Sequence, residues 1–340
     1  MAAEPIPGPY LLYLGHATDF LGIKTSRGLA VFAPERCVGE WRHDDCPLTT
    51  GLERLTIEEA VARGARTLVL GIANPGGRMD AAIVADTVAA ARAGLNVAAG
   101  LHQRLRDQPE LDEAARAAGV RLFDVRDAPA DLDVGTGLKR AGRRLLTVGT
   151  DCSSGKMVST LILARAMAAR GHAAEFRATG QTGILIAGGG IAVDAVVADF
   201  ISGAVERLSP ARGDGGWDLI EGQGSLFHPS FAGVSMGLIH GAQPDALVLC
   251  HEVGRTHLRG LPHMPVPDLA ECLAANLAAA RLTAPDVRAV GVCLNTASLD
   301  EPAARAACHA AASLLGVPAT DPMRFGAVPI VEEIERCFAD

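Results

Sequence analysis

The stretch LLTVGTDCSSGKM at residues 145–157 decides the fold of the second half of the chain. An apolar strand leads into a polar loop bounded by Gly149 and Gly155, and Lys156 opens an apolar helix. Backbone N–H groups in such a loop can surround a phosphate at the helix N-terminus, and the lysine adds positive charge. The stretch therefore predicts a phosphate site formed by Gly149, Thr150, Asp151, Cys152, Ser153, Ser154, Gly155, Lys156 and Met157.

Two departures from the common phosphate-loop pattern bear on what this loop can do. Gly149 lies seven residues before Lys156, where the common pattern has six. Met157 occupies the position of the serine or threonine whose hydroxyl would hold Mg²⁺. The pattern therefore favours phosphate binding over turnover of a nucleoside triphosphate.

Composition narrows the class of protein. The 340 residues carry 31 lysines and arginines against 39 aspartates and glutamates, and this net charge of −8 argues against a nucleic-acid partner. A hydrophobic fraction of 49% excludes intrinsic disorder. No secretory signal and no long apolar run is evident, so we expect a cytoplasmic protein with no membrane partner. The eight cysteines form no C-x-x-C pair, which fits a reducing compartment and predicts no metal site.

Strands, turns and helices alternate along both halves of the chain, which is typical of doubly wound α/β domains. Strands are predicted at 11–15, 29–32, 67–72, 96–100, 121–125, 144–148, 174–178, 218–221, 246–250 and 289–294. Helices are predicted at 56–64, 79–93, 111–118, 156–169, 192–206, 269–280 and 301–315. Two further features are a turn at 74–77 and a linker without periodicity at 128–142.

Glu221 opens a glycine-rich turn, EGQGS at residues 221–225, at the end of a predicted strand. A carboxylate at the carboxyl end of a parallel strand faces the crevice where such sheets bind ligands. There it can coordinate a cation or act as a base. We predict a catalytic role for Glu221 and a substrate-binding role for Gln223.

Other polar groups follow neighbouring strands. The turn ATGQTG at 178–183 offers two hydroxyls and an amide with few large side chains, which suits substrate oxygens. It predicts substrate-binding roles for Thr179, Gln181 and Thr182. Asp199 is a further acidic candidate, on the helix predicted at 192–206. Residues 250–252 (CHE), with Arg255 and His257 close behind, are typical of an anion or acid–base site.

Five motifs of the chain resemble the DgcN family: VGTDC at 148–152, ATGQTG at 178–183, VVADF at 196–200, EGQGS at 221–225 and DPMRFG at 321–326. The phosphate loop and the Glu221 turn also resemble dethiobiotin synthetase and related amidotransferase-type P-loop proteins, in which the turn holds the metal and threonine follows the lysine. The DgcN resemblance implies an α/β protein with an N-terminal Rossmann-like domain, at 1–135. A P-loop NTPase-like domain with a mainly parallel sheet would follow at 143–340.

The resemblance also implies a reaction. Members of the DgcN type are D-glutamate N-acetyltransferases that use acetyl-CoA, so the loop would bind the phosphates of coenzyme A without hydrolysis. Glu221 or Asp199 would take a proton from the amine, and backbone N–H groups at 180–183 or 222–224 would stabilise the oxyanion. Charge complementarity makes Arg255 and Arg324 the candidates for the two carboxylates of glutamate.

Two other functions stay open at this point. An ATP-dependent kinase or ligase would use Glu221 with Mg²⁺, and Asp151, Ser153 or Ser154 would replace the missing hydroxyl. A nucleotide-binding regulatory module would bind its ligand without chemistry. In each case the expected partner is a small molecule, and assembly into a homo-oligomer is left open.

Overall fold

The computed structural model describes the chain over residues 5–20, 22–72 and 78–339. The predicted turn at 74–77 lies outside the described residues. Two compact units divide the chain, the first with Met1–Ala128 and Gln181–Ala192 and the second with Pro129–Gly180 and Val193–Asp340. The segment 181–192, which the sequence places within the second domain, clusters with the first unit.

The first unit is built on a five-stranded sheet. Its strands are β1 (Tyr10–Gly15), β2 (Cys37–Arg42), β3 (Thr67–Leu70), β4 (Asn96–Ala99) and β5 (Leu122–Asp124). They lie in the order β2-β1-β3-β4-β5, and every pair is parallel. β1 and β3 are buried along their whole length, as expected for central strands covered on both faces.

Helices cover this sheet: α1 (Lys24–Phe32), α2 (Ile57–Ala62), α3 (Ala81–Arg92) and α4 (Pro109–Ala118). α2 begins at a capping box, in which the Thr56 hydroxyl accepts from the Glu59 N–H and the Glu59 carboxylate accepts from the Thr56 N–H. The Asp80 carboxylate caps α3 by accepting from the Ile83 N–H. Local polar side chains therefore fix where these helices start.

The second unit is built on a six-stranded sheet, also parallel throughout. Its strands are β6 (Arg143–Gly149), β7 (Ala174–Arg177), β8 (Trp217–Ile220), β9 (Ala246–Glu252), β12 (Arg288–Asn295) and β13 (Ala319–Thr320), and the antiparallel pair β10 (His257–Leu258) and β11 (Leu261–Pro265) lies apart from it. The order across the sheet is β13-β12-β9-β6-β8-β7. The strand that leads into the phosphate loop is thus central, with β9 on one side and β8 on the other.

The remaining helices are α5 (Lys156–Ala169), α6 (Gln181–Ala187, in the first unit), α7 (Ile201–Leu208), α8 (Ala232–Ala242), α9 (Leu269–Arg281), α10 (Glu301–Leu315), α11 (Pro322–Phe325) and α12 (Val328–Cys337). The helices predicted at 156–169 and 301–315 match α5 and α10 from end to end. Over the described residues, no helix is long and apolar enough to cross a membrane.

Two predicted elements are wrong. Residues 29–32 are not a strand but the last turn of α1, because the buried side chains of Thr25, Ser26, Leu29 and Phe32 recur at helical spacing. The helix predicted at 192–206 begins only at Ile201 and is preceded by two short 3₁₀ turns, at 193–195 and 198–200. The Val193 N–H donates to the Thr179 oxygen at 3.1 Å, so the backbone there is bonded outside the predicted helix.

Several elements were not predicted: β2, β10, β11, β13, α6, α8, α11 and α12. In α8 the reason is three glycines, Gly233, Gly237 and Gly241, which lower helix propensity. Two of them serve packing against α7. A Cβ at Gly241 would lie 2.4 Å from the backbone oxygen of Ser202, and a Cβ at Gly237 would lie 2.7 Å from Ile201 Cγ2. The close approach of the two helices therefore requires glycine.

We expect Gly241→Ala and Gly233→Ala to change stability in opposite directions. The new methyl group at residue 241 would collide with the α7 backbone, which should lower the free energy of unfolding by about 1–3 kcal/mol. Gly233, on the same helix, is exposed with no atom within 4 Å of its added Cβ, so alanine there should raise stability by about 0.5–1 kcal/mol. Urea denaturation checks both, and equal effects would contradict this packing.

Candidate functional site

The phosphate loop, residues 149–156, connects β6 to α5. Because β8, β6 and β9 are parallel neighbours, the segments that follow them leave the sheet at one edge. Those segments are the phosphate loop, the Glu221 turn (residues 221–225) and the end of β9 with the residues after it. These three segments, each predicted to carry functional residues, therefore lie at the same edge of the sheet.

The phosphate loop offers a row of backbone donors. Among the described residues, no hydrogen bond within the protein uses the N–H groups of residues 153–157. Ser153 and Gly155 have left-handed backbone angles, with φ of 54° and 95°, so the chain turns sharply just before α5. We call these N–H groups the N–H cup. At a helix N-terminus such donors favour an anion.

Lys156 lies beneath the loop. Its side chain is buried, and Nζ donates to the Asp151 backbone oxygen at 2.8 Å and to Ser154 Oγ at 3.4 Å. Gly149 makes room for it, since a Cβ there would lie 3.1 Å from Nζ. Burial lowers the pKa of Lys156 below its ordinary value. An anion close by would raise this pKa and so favour the charged ammonium form.

A buried carboxylate orders the loop from the β9 side. Asp151 Oδ2 accepts from Arg255 Nη1 at 2.6 Å and from the Arg259 N–H at 2.8 Å, and Oδ1 accepts from the Cys152 N–H at 2.7 Å. Arg255 also donates to the Cys152 backbone oxygen and forms an ion pair with Glu252. Arg255 therefore positions the loop, and its binding of a substrate carboxylate stays a prediction.

Glu221 lies on the β8 side and is buried, with 4% of its surface exposed. Its Oε2 accepts from the N–H groups of Thr179 at 3.0 Å and Gly180 at 3.1 Å, and its Oε1 accepts from Gln223 Nε2 at 3.1 Å. Burial raises the pKa of Glu221 to about 7, although these hydrogen bonds and the charge of Lys156 act in the opposite direction. A carboxyl group with this pKa can accept or donate a proton near neutral pH.

A chain of hydroxyl groups connects the Glu221 turn to the first turn of α5. The Gly222 N–H donates to Thr147 Oγ1 at 2.9 Å, and this hydroxyl lies 2.9 Å from Thr160 Oγ1. The Thr160 hydroxyl donates to the Lys156 backbone oxygen at 2.7 Å. The contact leaves no room for a side chain, because a Cβ at Gly222 would lie 1.8 Å from the backbone oxygen of Thr147. Glu221 and Lys156 are thus held in fixed relation.

The 178–183 turn is divided between the two units. Thr179 stays beside Glu221, and its hydroxyl donates to the Glu221 backbone oxygen at 2.6 Å. Gln181 and Thr182 begin α6 in the first unit, where Thr182 Oγ1 lies 3.0 Å from Thr25 Oγ1. The sequence predicts that backbone N–H groups at 180–183 stabilise an oxyanion. The Gly180 N–H is not free for this role, because it is already bonded to Glu221.

Neither Asp199 nor Arg324 is a hydrogen-bond partner of Glu221 or Lys156. Asp199 is exposed on a 3₁₀ turn before α7. Arg324 is exposed on α11, and its Nη1 donates to Thr296 at 3.3 Å. Neither side chain takes part in the hydrogen bonds of Glu221. Their predicted roles stay predictions.

The donors at the loop do not make a good cation site. Ligand atoms of Asp151, Cys152 and His228 lie within 4.8 Å of one another. Asp151 is already bonded to Arg255, and the two ring nitrogens of His228 contact the Arg259 oxygen at 3.1 Å and the Ser230 N–H at 3.3 Å. Burial raises the pKa of the Cys152 thiol, which disfavours the thiolate that a metal needs.

The sequence did not predict a cluster of histidine, aspartate and tyrosine side chains in the first unit. The rings of His16 and His43 stack with centroids 3.9 Å apart. His16 Nδ1 lies 2.7 Å from Asp45, His43 Nε2 lies 2.7 Å from Asp86, and the Tyr13 hydroxyl donates to Asp86 at 2.7 Å. The bonded pairs are 29 to 73 positions apart, so no local spacing could have signalled them.

Comparisons with known proteins identify the family. Residues 133–331 match the family model described as domain of unknown function (DUF1611_C), P-loop domain, and residues 35–128 match the DUF1611_N Rossmann-like domain. The chain belongs to this family. The predicted resemblance to the DgcN family is confirmed, and so is the predicted fold class.

Relatives of known activity and structure cover almost the whole chain. It is 48% identical over 329 residues to a D-glutamate N-acetyltransferase of Pseudoalteromonas sp and 47% identical over 329 residues to one of Tritonibacter scottomollicae, covering 97% of this chain and 99% of each relative. The crystal structure of a DUF1611 family protein from Anabaena variabilis superposes with a TM-score of 0.87 at 35% identity, covering 97% of this chain and 100% of that one. The prediction of an acyltransferase enzyme is confirmed by the named relatives.

The raised pKa of Glu221 predicts a pH-dependent stability. In the unfolded chain this carboxyl ionises near 4.5 and in the folded protein near 7, so stability falls as pH rises between those values. Glu221→Gln removes the ionisation and keeps an acceptor for the two N–H groups. The variant should gain stability over the wild type across pH 4.5 to 7, by on the order of 3 kcal/mol at the upper end.

Urea denaturation at several pH values measures this difference. Glu58→Gln, at an exposed glutamate of α2, is the control and should follow the wild-type curve. Parallel curves for Glu221→Gln and the wild type would show that the folded protein does not hold this proton.

Proposed function

We propose that the protein transfers an acetyl group from acetyl-CoA to the amine of D-glutamate. The observation that supports this proposal is that the N–H cup and Lys156 occur together with Glu221, whose pKa is about 7. They do so in a chain that is 48% identical to a D-glutamate N-acetyltransferase. Acetyl-CoA is the second substrate of the proposed reaction. The geometry supports phosphate binding by the N–H cup with Lys156 and proton transfer by Glu221.

The N–H cup and Lys156 would hold a phosphate of coenzyme A. Neutral backbone donors at a helix N-terminus and one ammonium group suit a phosphate ester that is bound and released unchanged. Met157 supplies no hydroxyl for Mg²⁺ at the second position of α5. This supports a donor that needs no metal and disfavours the ATP-dependent alternative.

Glu221 would remove a proton from the ammonium group of the acceptor. A base is most effective when its pKa lies near the working pH, and burial brings that of Glu221 to about 7. Asp199 is the alternative base, but its side chain is exposed, whereas Glu221 is buried. Glu221 is therefore the stronger assignment.

The oxyanion of the reacting carbonyl needs donors that are not already used. The Gly222 N–H is bonded to Thr147, whereas among the described residues the Gln223 and Gly224 N–H groups make no hydrogen bond. We assign the oxyanion to these two groups. Of the two arginines predicted to bind the substrate carboxylates, Arg324 has the more exposed guanidinium, and Arg255 already pairs with Asp151.

Lys156→Met should weaken binding of acetyl-CoA about 10- to 100-fold, because a hydrogen bond from a charged donor contributes about 1.5–3 kcal/mol. The KM for D-glutamate should change little. Lys139→Met is the matched control, since Lys139 pairs with Asp245 at the opposite edge of the same sheet. Calorimetric titration with coenzyme A measures the effect, and equal affinities of the two variants would contradict the proposed cup.

The reaction itself is tested by mass spectrometry of the purified protein with acetyl-CoA and D- or L-glutamate, and separately with ATP and Mg²⁺. We expect N-acetyl-D-glutamate and one free thiol per product. Glu221→Gln should lower kcat about tenfold or more with little change in the KM for acetyl-CoA. Formation of ADP with no acetylated product would refute the proposal, and an unchanged kcat would move the base to Asp199.

A further inference from the structure

His251 stands at the phosphate loop on the side opposite Glu221. It is the sixth residue of β9, one position beyond Cys250, which pairs in register with Gly149 of β6. Its Nδ1 lies 3.0 Å from Thr150 Oγ1, and the Thr150 N–H donates to the Cys250 oxygen at 3.1 Å. Among the described residues, the side-chain hydrogen bonds of His251 use only Nδ1. Nε2 is therefore available to a bound molecule.

The surroundings of His251 favour the neutral form of its imidazole. The ring is half-buried, and burial, followed by the positive charge of Arg255, lowers its pKa, while Glu252 acts in the opposite direction. The phosphate loop contributes Asp151 and Lys156 on the β6 side. On the other side, β12 pairs the uncharged Leu294 with His251. A neutral imidazole can accept a proton at neutral pH.

The proposed reaction must move two protons off one nitrogen. The acceptor enters as an ammonium group with three N–H bonds and leaves as an amide with one. The first proton must go before the nitrogen lone pair can attack the thioester carbon, and Glu221 is assigned to it. The second is lost as the C–N bond forms, while the departing thiolate gains one as the C–S bond breaks. One group that first accepts and then donates would serve both events.

We propose that His251 is this group, a second catalytic residue that carries the proton from the acceptor nitrogen to the departing sulfur. Nε2 accepts the proton as the C–N bond forms, and the imidazolium then donates it to the sulfur, which leaves as the free thiol of coenzyme A. Imidazole ends neutral, as it began, and the other proton passes from Glu221 to solvent. This inference rests on the proposed acetyl transfer.

Thr150 is the positioning residue in this arrangement. Its hydroxyl can accept the Nδ1–H of His251, which selects the tautomer with an unprotonated Nε2. The strand pairing of β6 with β9 holds both residues in place. Orientation of the base is thus set by a side chain of the same loop that binds phosphate.

His251→Gln should lower kcat by about 10²–10⁴-fold and leave the affinity for coenzyme A unchanged. Two groups must lose their protons in the wild type, so log kcat/KM should rise with a slope of about two on the acid side, and with a slope of about one in the variant. Imidazole added to His251→Gly should restore part of the lost rate. His309→Gln is the matched control, because His309 is exposed on α10 of the same unit and has no assigned role.

The outcomes separate the two proposals. If the wild type makes no N-acetyl-D-glutamate, the proposed function fails. If it does, and His251→Gln keeps the wild-type kcat and acid slope, the role of His251 is refuted while the acetyl transfer stands. If His251→Gln does not fold, Thr150→Val and Thr150→Ser decide: a lower kcat with valine, restored by serine, supports the proton carrier, and equal rates overturn it.

Discussion

The parallel pairing of β6 with β8 and with β9 is the constraint on which the candidate site depends. Pairing places Gly149 beside Cys250 and Leu146 beside Ile220, so the chain leaves all three strands at one edge of the sheet. Residues far apart in sequence then meet there. Asp151 pairs with Arg255, 104 positions away, and Thr147 receives the Gly222 N–H from 75 positions away. Because these contacts lie in the buried centre of the sheet, the loop, the Glu221 turn and the end of β9 are held as one arrangement.

Burial has opposite consequences for the two charged groups at the centre of this arrangement. It lowers the pKa of Lys156 and raises that of Glu221, so each is moved toward its neutral form. Their mutual attraction acts against that tendency without cancelling it for Glu221. A phosphate at the N–H cup would favour the ammonium form of Lys156. Binding of an anionic donor would thus stabilise the positive charge at the loop, while Glu221 stays able to exchange a proton near pH 7.

Local signals in the sequence predicted the parts of this structure that local physics determines. Helix α5 was predicted from end to end because a glycine loop precedes it and its own residues are apolar, and Glu221 and Lys156 were found from their position after strands. What the sequence could not provide is the partner of each side chain. The contact of Thr150 with His251 spans 101 positions, and the division of 178–183 between two units depends on where α6 packs. The helix predicted at 192–206 is wrong at its start for a similar reason, since the Val193 N–H donates to the Thr179 oxygen, 14 positions earlier.

The polar side chains of the loop bear on whether the proposed binding of phosphate would lead to its hydrolysis. A nucleotide-hydrolysing loop needs a hydroxyl or carboxylate free to hold Mg²⁺. Met157 has neither, and the groups that might replace it are already engaged: Asp151 accepts from Arg255, Ser154 accepts from Lys156, and Ser153 accepts from Arg259. To bind a metal, each would have to share an oxygen that already accepts a hydrogen bond from a cationic side chain. A phosphate ester held through backbone N–H groups needs no such sharing, so these side chains fit the proposed donor, whose phosphates are bound and not cleaved.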